Sequence, residues 1–240
     1  MQELARLVER PRRCSYLPGE VASLEVRSVA GISAREYGEL LARGYRRFGH
    51  YIFRPACPAC RQCRSLRVLA ADFAPGAGER RILRRNQRVR AELGRAAAAA
   101  EHVELYNLYH GYMHRHRGWP FEPATEASYR EQFLAAFDFA REWRYYEDGR
   151  LIGVALMDEV PDGISLVYCY YHPDWRPRSP GTFSILQQLL YARNHGLRYA
   201  YCGYWIEACQ SMNYKARFRP HEILRDYPRD NEEPVWELGD

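Results

Sequence analysis

The sequence predicts an α+β fold, a small cysteine-containing domain followed by a larger domain of antiparallel strands and helices. Three observations carry this. Strand-like runs at Trp143–Glu147, Leu151–Glu159 and Ile164–His172 are joined by Asp148-Gly-Arg and Pro161-Asp-Gly, turn residues of the hairpin kind. That meander is followed by an amphipathic run, Gly181 to His195, and by a further strand-like run, Tyr199 to Trp205. The front of the chain differs in chemistry: it holds Cys57, Cys60 and Cys63, and residues 1–100 carry 20 Arg against 9 Asp and Glu, a balance of +11. The remainder carries 15 Lys and Arg against 21 acids, a balance of −6. We place the domains at 1–95 and 96–240.

Taken in order, a short N-terminal helix is expected first, then a loop from Pro11 to Gly19 and a strand over Val21–Val29. Ser33 followed by Glu36 forms a capping box for a helix over Ala34–Arg43, which Gly44 ends. Tyr51-Ile-Phe-Arg leads into the cysteines, Ser65–Ala70 reads as a strand, and Pro75-Gly-Ala-Gly as a turn. Residues Arg80 to Arg90 read as a basic helix, and 101–117 and 126–141 as two more helices. The meander, helix and strand then follow, an order used by GNAT-type acyltransferases and by other α+β domains.

Composition excludes several classes. With 47% hydrophobic and 27% charged residues the chain reads as globular. No apolar run approaches the roughly 20 residues a bilayer span needs, and the first ten residues hold acids and arginines with no apolar core of a secretory signal. No membrane partner is expected, and a cytoplasmic location is. The seven cysteines are odd in number, against a disulfide framework.

Cys57-x-x-Cys60-x-x-Cys63 lets successive thiolates converge on one zinc ion or iron–sulfur cluster, with Cys14 as the fourth ligand. The plainer alternative is three small buried residues packing a turn. Arg80, Arg84 and Arg88 share one helical stripe and Arg81 and Arg85 the adjacent one, as phosphate contacts would require. The rival there is a solvated face. Arg178-Ser179-Pro-Gly181-Thr182 opens a helix and offers an anion site, without the glycine signature of a CoA enzyme, so no CoA is expected. His110, His114 and His116 lack an acidic partner at metal spacing, and no Gly-x-Ser-x-Gly elbow is present. Lys215 is the single lysine among 35 basic residues, and it closes the densest run of unusual residues, Tyr199 to Pro220.

These residues resemble the aminoacyl-tRNA–protein transferases of the N-degron pathway, most closely the short bacterial aspartate/glutamate leucyltransferases. In the front half the resemblance rests on Cys14-Ser-Tyr-Leu-Pro-Gly, Tyr45-Arg-Arg, Arg54-Pro-x-Cys-x-x-Cys-x-x-Cys and Arg80-Arg-x-x-Arg-Arg-Asn86. In the back half it rests on Val167-Tyr-Cys-Tyr-Tyr-His-Pro-Asp, Ser179-x-Gly-Thr182 and Gly203-Tyr-Trp-Ile-Glu-x-Cys209-x-x-Met212-x-Tyr-Lys215-Ala-Arg-Phe-Arg-Pro220. Arg13 and Pro180 depart from the family's habit and affect loop shape only.

The resemblance implies a GNAT-like second domain and transfer of leucine from leucyl-tRNA to proteins beginning with Asp or Glu, marking them for degradation. On that reading Glu207, Tyr214 and Lys215 are the catalytic candidates. Arg178, Ser179, Gly181, Thr182, Tyr204, Met212 and Arg217 are the substrate-binding candidates, and Arg80, Arg81, Arg84, Arg85 and Arg88 meet tRNA. The alternatives are an arginyl-tRNA–protein transferase on the same scaffold, a CoA-dependent acetyltransferase, and a redox-responsive metal- and nucleic-acid-binding protein.

Overall fold

The computed structural model describes residues 1–134 and 137–239. The chain runs through β1 (Gln2–Val8), β2 (Arg12–Arg13), β3 (Val21–Ala22), β4 (Leu24–Gly31), α1 (Ala34–Ala42), β5 (Arg46–Phe48), β6 (Tyr51–Pro55) and β7 (Arg64–Leu69). It continues through α2 (Ala77–Arg85), β8 (Arg90–Arg95), α3 (Ala100–Arg117), α4 (Glu126–Phe133), β9 (Ala140–Glu147), β10 (Arg150–Val160) and β11 (Gly163–Tyr171). A 3-10 turn at Pro173–Arg178 leads into α5 (Pro180–Asn194), β12 (Tyr199–Trp205), α6 (Gln210–Asn213), a 3-10 turn at Tyr214–Arg217, β13 (His221–Leu224) and β14 (Trp236–Leu238). The mixed α+β class and the meander–helix–strand order are those the sequence predicts.

Two compact units result, neither continuous in sequence: residues 1–73, 160–165 and 189–240 form the first, residues 74–159 and 166–188 the second. The front segment does not stand alone, because β7 pairs on one side with β12 and on the other with β13, both from the end of the chain. Central strands must satisfy hydrogen bonds on both edges, so the first unit needs both ends of the sequence.

The first unit holds the antiparallel sheet β1-β4-β6-β5 and the order β14-β13-β7-β12-β11. β11 and β12 pair in parallel only over Gly163–Ser165 against Tyr199–Tyr201. α1 carries the expected capping box: Ser33 Oγ accepts from the Glu36 N–H at 3.3 Å, and Glu36 Oε2 accepts from the Ser33 N–H at 2.9 Å. Gly44 ends it at φ +84°, where any Cβ would collide with the Tyr227 ring.

The β1-β4-β6-β5 sheet carries a buried charge cluster. Glu25 accepts from Arg54 Nε at 2.8 Å, Tyr45 Oη at 2.7 Å and Arg6 Nε at 2.6 Å. Burial alone would raise its carboxyl pKa, but the bonds from Tyr45 and Arg54 outweigh that and hold it below the usual range.

The second unit carries the order β8-β9-β10-β11 with α3 and α4. The β9–β10 hairpin turns on Asp148 (φ 49°) and Gly149 (φ 78°), the positive dihedrals a two-residue turn of this hand demands. Trp175 is 2% exposed, rests against Gly153, where a Cβ would come within 2.6 Å of its ring, and donates Nε1 to Asn86 Oδ1 at 2.7 Å.

Three expectations are corrected. The N-terminal segment is strand β1, not helix, because the edge of β4 pairs with it from Gln2 to Val8. The basic helix does not reach Arg90: α2 stops at Arg85, where Asn86 turns its side chain back to the Ile82 carbonyl, and Arg90 already pairs in β8. The helix expected over 126–141 ends at Phe133, and Ala140 opens β9; of the intervening stretch, Ala135 and Ala136 lie outside the described residues. The short strands β5, β13 and β14 have no counterpart in the sequence reading.

Candidate active site

Strand β12 leads into the segment richest in unusual residues, and the local packing explains its shape. Ile206, Cys209 and Phe218 are buried and anchor the loop, while Glu207, Asn213 and Arg217 face solvent. Trp205 Nε1 donates to the Asn213 carbonyl at 3.2 Å, and Asn213 Nδ2 donates to the Glu207 carbonyl at 3.3 Å. These bonds fold residues 205–217 back over the end of the strand.

Lys215 points inward. Its Nζ donates to the Tyr204 carbonyl at 2.7 Å and lies 3.8 Å from Met212 Sδ. No carboxylate among the described residues pairs with it. Burial first, and then the Arg46 guanidinium, push the ammonium down to about 8.

Arg46, on β5, lies at the Gly203 bend of β12 and is absent from the sequence candidates. Its Nη1 donates to the Tyr201 carbonyl at 3.0 Å and to Ser165 Oγ at 3.2 Å, bracing β12 against β11 where their pairing begins to run out. The β12–β7 register shifts between Tyr201 and Gly203, and Gly203 takes φ +81° with Arg46 packed over it. A Cβ there would lie 3.2 Å from the guanidinium carbon, so glycine lets a cation approach the strand. The only sequence signal for Arg46 was the Tyr45-Arg-Arg run. Its spatial partner, Gly203, is far away in the chain.

The other candidates fall in different places. Tyr204 is buried and donates Oη to the Phe53 carbonyl at 3.1 Å, so its hydroxyl serves the core. Tyr214 is half-buried, with Arg217 Cζ 5.8 Å from its ring centroid. Arg178, Ser179, Gly181 and Thr182 belong to the other unit. There Arg178 forks onto Glu147, Nη1–Oε1 and Nη2–Oε2 both at 2.6 Å. Ser179 holds φ +60°, and nothing lies within 4 Å of a Cβ built at Gly181, leaving the start of α5 open. Arg80, Arg81, Arg84, Arg85 and Arg88 are all exposed.

The four candidate metal-binding cysteines share the first unit with Lys215. Cys14 Sγ accepts from the N–H groups of Tyr16 and Leu17, each at 3.4 Å. The Cys63 thiol is pushed up to about 12, chiefly by burial and then by Cys57, Cys14 and Cys60. Cys57, Cys60 and Cys63 also line a cavity of about 350 Å³ with Glu25, Arg54 and Arg61. The donor chemistry suits a soft metal, yet among the described residues no three His, Cys, Asp or Glu side chains are grouped to hold one.

Comparison with known proteins defines the class. Residues 12–81 match the description "Arginine-tRNA-protein transferase, N terminus" and residues 101–225 match "Arginine-tRNA-protein transferase, C terminus". The chain is thus an aminoacyltransferase. It is 37% identical to the aspartate/glutamate leucyltransferase of Helicobacter hepaticus over 97% of this chain and 98% of that one. It is likewise 37% identical to that of Pseudomonas putida, over 93% and 96%. The chain belongs to the aminoacyl-tRNA–protein transferase family that these enzymes represent.

Among solved structures it is similar to L-PGS from Bacillus licheniformis, with TM-score 0.49 and 15% identity over 95% of this chain and 82% of that one. It is also similar to FemX, with TM-score 0.46 and 10% identity over 98% and 83%. No described helix is long and apolar enough to cross a membrane.

Proposed function

We propose that this enzyme transfers leucine from leucyl-tRNA to the α-amino group of proteins that begin with Asp or Glu, in the cytoplasm, as a step towards their degradation. The observation that carries the acceptor half of this reading is Lys215, an inward-facing ammonium without a carboxylate partner among the described residues and under the electrostatic influence of Arg46. A cation held away from water gains much when a carboxylate arrives, and an acceptor with a neutral side chain would leave it unsatisfied.

The chemistry asks little more. An aminoacyl ester is already activated, so the enzyme has to orient a neutral amine and stabilise the tetrahedral oxyanion. A protein N-terminal amine has a pKa near 8, so a modest base suffices. Glu207, exposed at the mouth of the loop, is our choice to hold or deprotonate it. The neutral amine attacks the ester carbonyl, the bond from that carbonyl to the tRNA ribose oxygen breaks, and the amine's proton passes by way of Glu207 or solvent to the ribose oxygen, which leaves as a hydroxyl. Tyr214 and Met212 flank Lys215 and would line the acyl end, with Arg217 outside them.

The arginines of α2 would meet tRNA phosphates, and the first-turn N–H groups of Gly181 and Thr182, which a helix leaves unsatisfied, would take another anion. A zinc ion or iron–sulfur cluster on Cys14, Cys57, Cys60 and Cys63 would brace the first unit. Its support is the cavity that Cys57, Cys60 and Cys63 line together, and no catalytic step depends on it.

The decisive experiment supplies leucyl-tRNA and arginyl-tRNA separately with peptides beginning Asp, Glu, Lys and Ala. Leucine on Asp and Glu peptides is expected. Arginine as the better donor would move the enzyme to the arginyl branch, and product on Lys but not Asp would overturn the acceptor reading.

A further inference from the structure

The second unit contains arginines of two kinds. Arg178, Arg90 and Arg130 are each paired with a glutamate, Glu147, Glu92 and Glu126 in turn. By contrast Arg115 and Arg117 at the end of α3, and Arg176 in the 3-10 turn before α5, are exposed and form no ion pair among the described residues. The same is true of Arg81, Arg84 and Arg85 on α2. From Leu105 to Phe121 the chain has no acid at all.

These unpaired arginines lie on elements that are tied together. Asn86, at the end of α2, is fully buried; its Nδ2 donates to the Arg178 carbonyl at 3.0 Å while its Oδ1 accepts from Trp175. The 3-10 turn so fixed places Arg176 with its guanidinium carbon 4.8 Å from the Tyr112 ring centroid and hydrogen-bonded to the Tyr112 hydroxyl. His116 stacks on the same ring at 3.9 Å and 14°.

Cations at a helix C-terminus answer the helix dipole, which accounts for Arg115 and Arg117 on α3 taken alone. It does not account for Arg176, which belongs to a different element and adds positive charge to the same place. Unpaired guanidiniums gathered in one place, one of them steadied against an aromatic ring, are what a polyanion's phosphates select.

We propose that α2, the 3-10 turn and the end of α3 form one tRNA-docking surface, with Arg115, Arg117 and Arg176 as a second phosphate contact beyond the α2 arginines. This rests on aminoacyl-tRNA being the donor. The surface reads the sugar–phosphate backbone, not sequence. Tyr112 holds Arg176 in place for it.

The test is binding of uncharged tRNA, followed by fluorescence anisotropy across a salt series, to the parent and to an Arg115→Gln, Arg117→Gln, Arg176→Gln variant. We expect about 10-fold weaker binding at about 0.1 M salt, and a plot of log affinity against log salt shallower by about 2 to 3, near one unit for each phosphate no longer neutralised. The KM for an Asp-initiated peptide should stay at the parent's value. Parental affinity and slope in the variant would overturn the proposal. So would an unchanged tRNA affinity with a raised peptide KM, which would give this surface to the protein acceptor. If the triple variant melts early, Arg176→Gln alone, with an expected slope change of about one, decides the question. A parent that binds no tRNA would count against the donor reading itself, a separate result.

Discussion

Arg178 and Glu147 meet as a two-pronged ion pair, both Nη–Oε distances being 2.6 Å, so the arginine expected to receive substrate is already held by an acid of this chain. Glu147 sits on β9 and sequence reading gave it no role. The pair fixes the turn that precedes α5, and this suits Arg178 to positioning that turn. Both side chains are partly exposed, so Glu147→Gln should lower stability by only about 0.5–1 kcal/mol, read as a shift of a few degrees in thermal midpoint. A collapse of donor binding with no change in midpoint would instead return Arg178 to substrate contact.

Lys215 gives a pH signature. Its ammonium is lowered to about 8, so it is charged at neutral pH and loses its proton as pH rises past that value. If the charge binds the acceptor carboxylate, the KM for an Asp peptide should climb above about pH 8, while tRNA binding changes much less. Lys215→Met should abolish that dependence and cut kcat/KM for Asp peptides about 100-fold or more. In stability the sign is opposite to that of an ordinary ion-paired lysine. Between about 8 and the unfolded value the unfolded chain holds more protons, so raising pH stabilises the fold there, and Lys215→Met should lose that gain.

Glu207 separates chemistry from folding. Its carboxylate is exposed and makes no hydrogen bond among the described residues, so Glu207→Gln should melt with the parent. If it handles the acceptor amine, kcat should fall about 10²-fold or more. Parental kcat in that variant would remove it from the mechanism.

Glu25 governs acid sensitivity. Its carboxyl is held below the usual range by Tyr45 and Arg54 against the cost of burial. The stabilisation is present above the unfolded carboxylate pKa and is lost as pH falls through the lower folded value. Removing Arg54 takes away one cationic partner of Glu25 and leaves Arg6 and Tyr45, so Arg54→Met should cost about 1–3 kcal/mol at neutral pH. Urea unfolding near neutral pH and again in mild acid measures both, and the variant's loss on acidification should be the smaller.

The meander, its Asp148-Gly149 turn, the Ser33 capping box and the family itself were all legible in the sequence, because each rests on neighbours a few residues apart or on an ordered motif. What misled was local propensity at the edges. Residues 2–8 would suit a helix until the edge of β4 competes for them. Residues 86–90 are closed to the helix because Asn86 turns back on α2 and ends it.

By itself the sequence determined that this is an aminoacyltransferase with a lone lysine at the end of its most distinctive segment. Tertiary structure decided what that lysine faces. Strand β7 joins both ends of the chain in one unit, and within that unit Arg46 packs over the bend at Gly203 while Lys215 donates to the Tyr204 carbonyl. It also decided that Arg178 is held by Glu147 while Arg115, Arg117 and Arg176 are left unpaired among the described residues. Charge in a sequence can be counted; whether a charge is answered depends on pairings between residues far apart in the chain, which only the fold specifies.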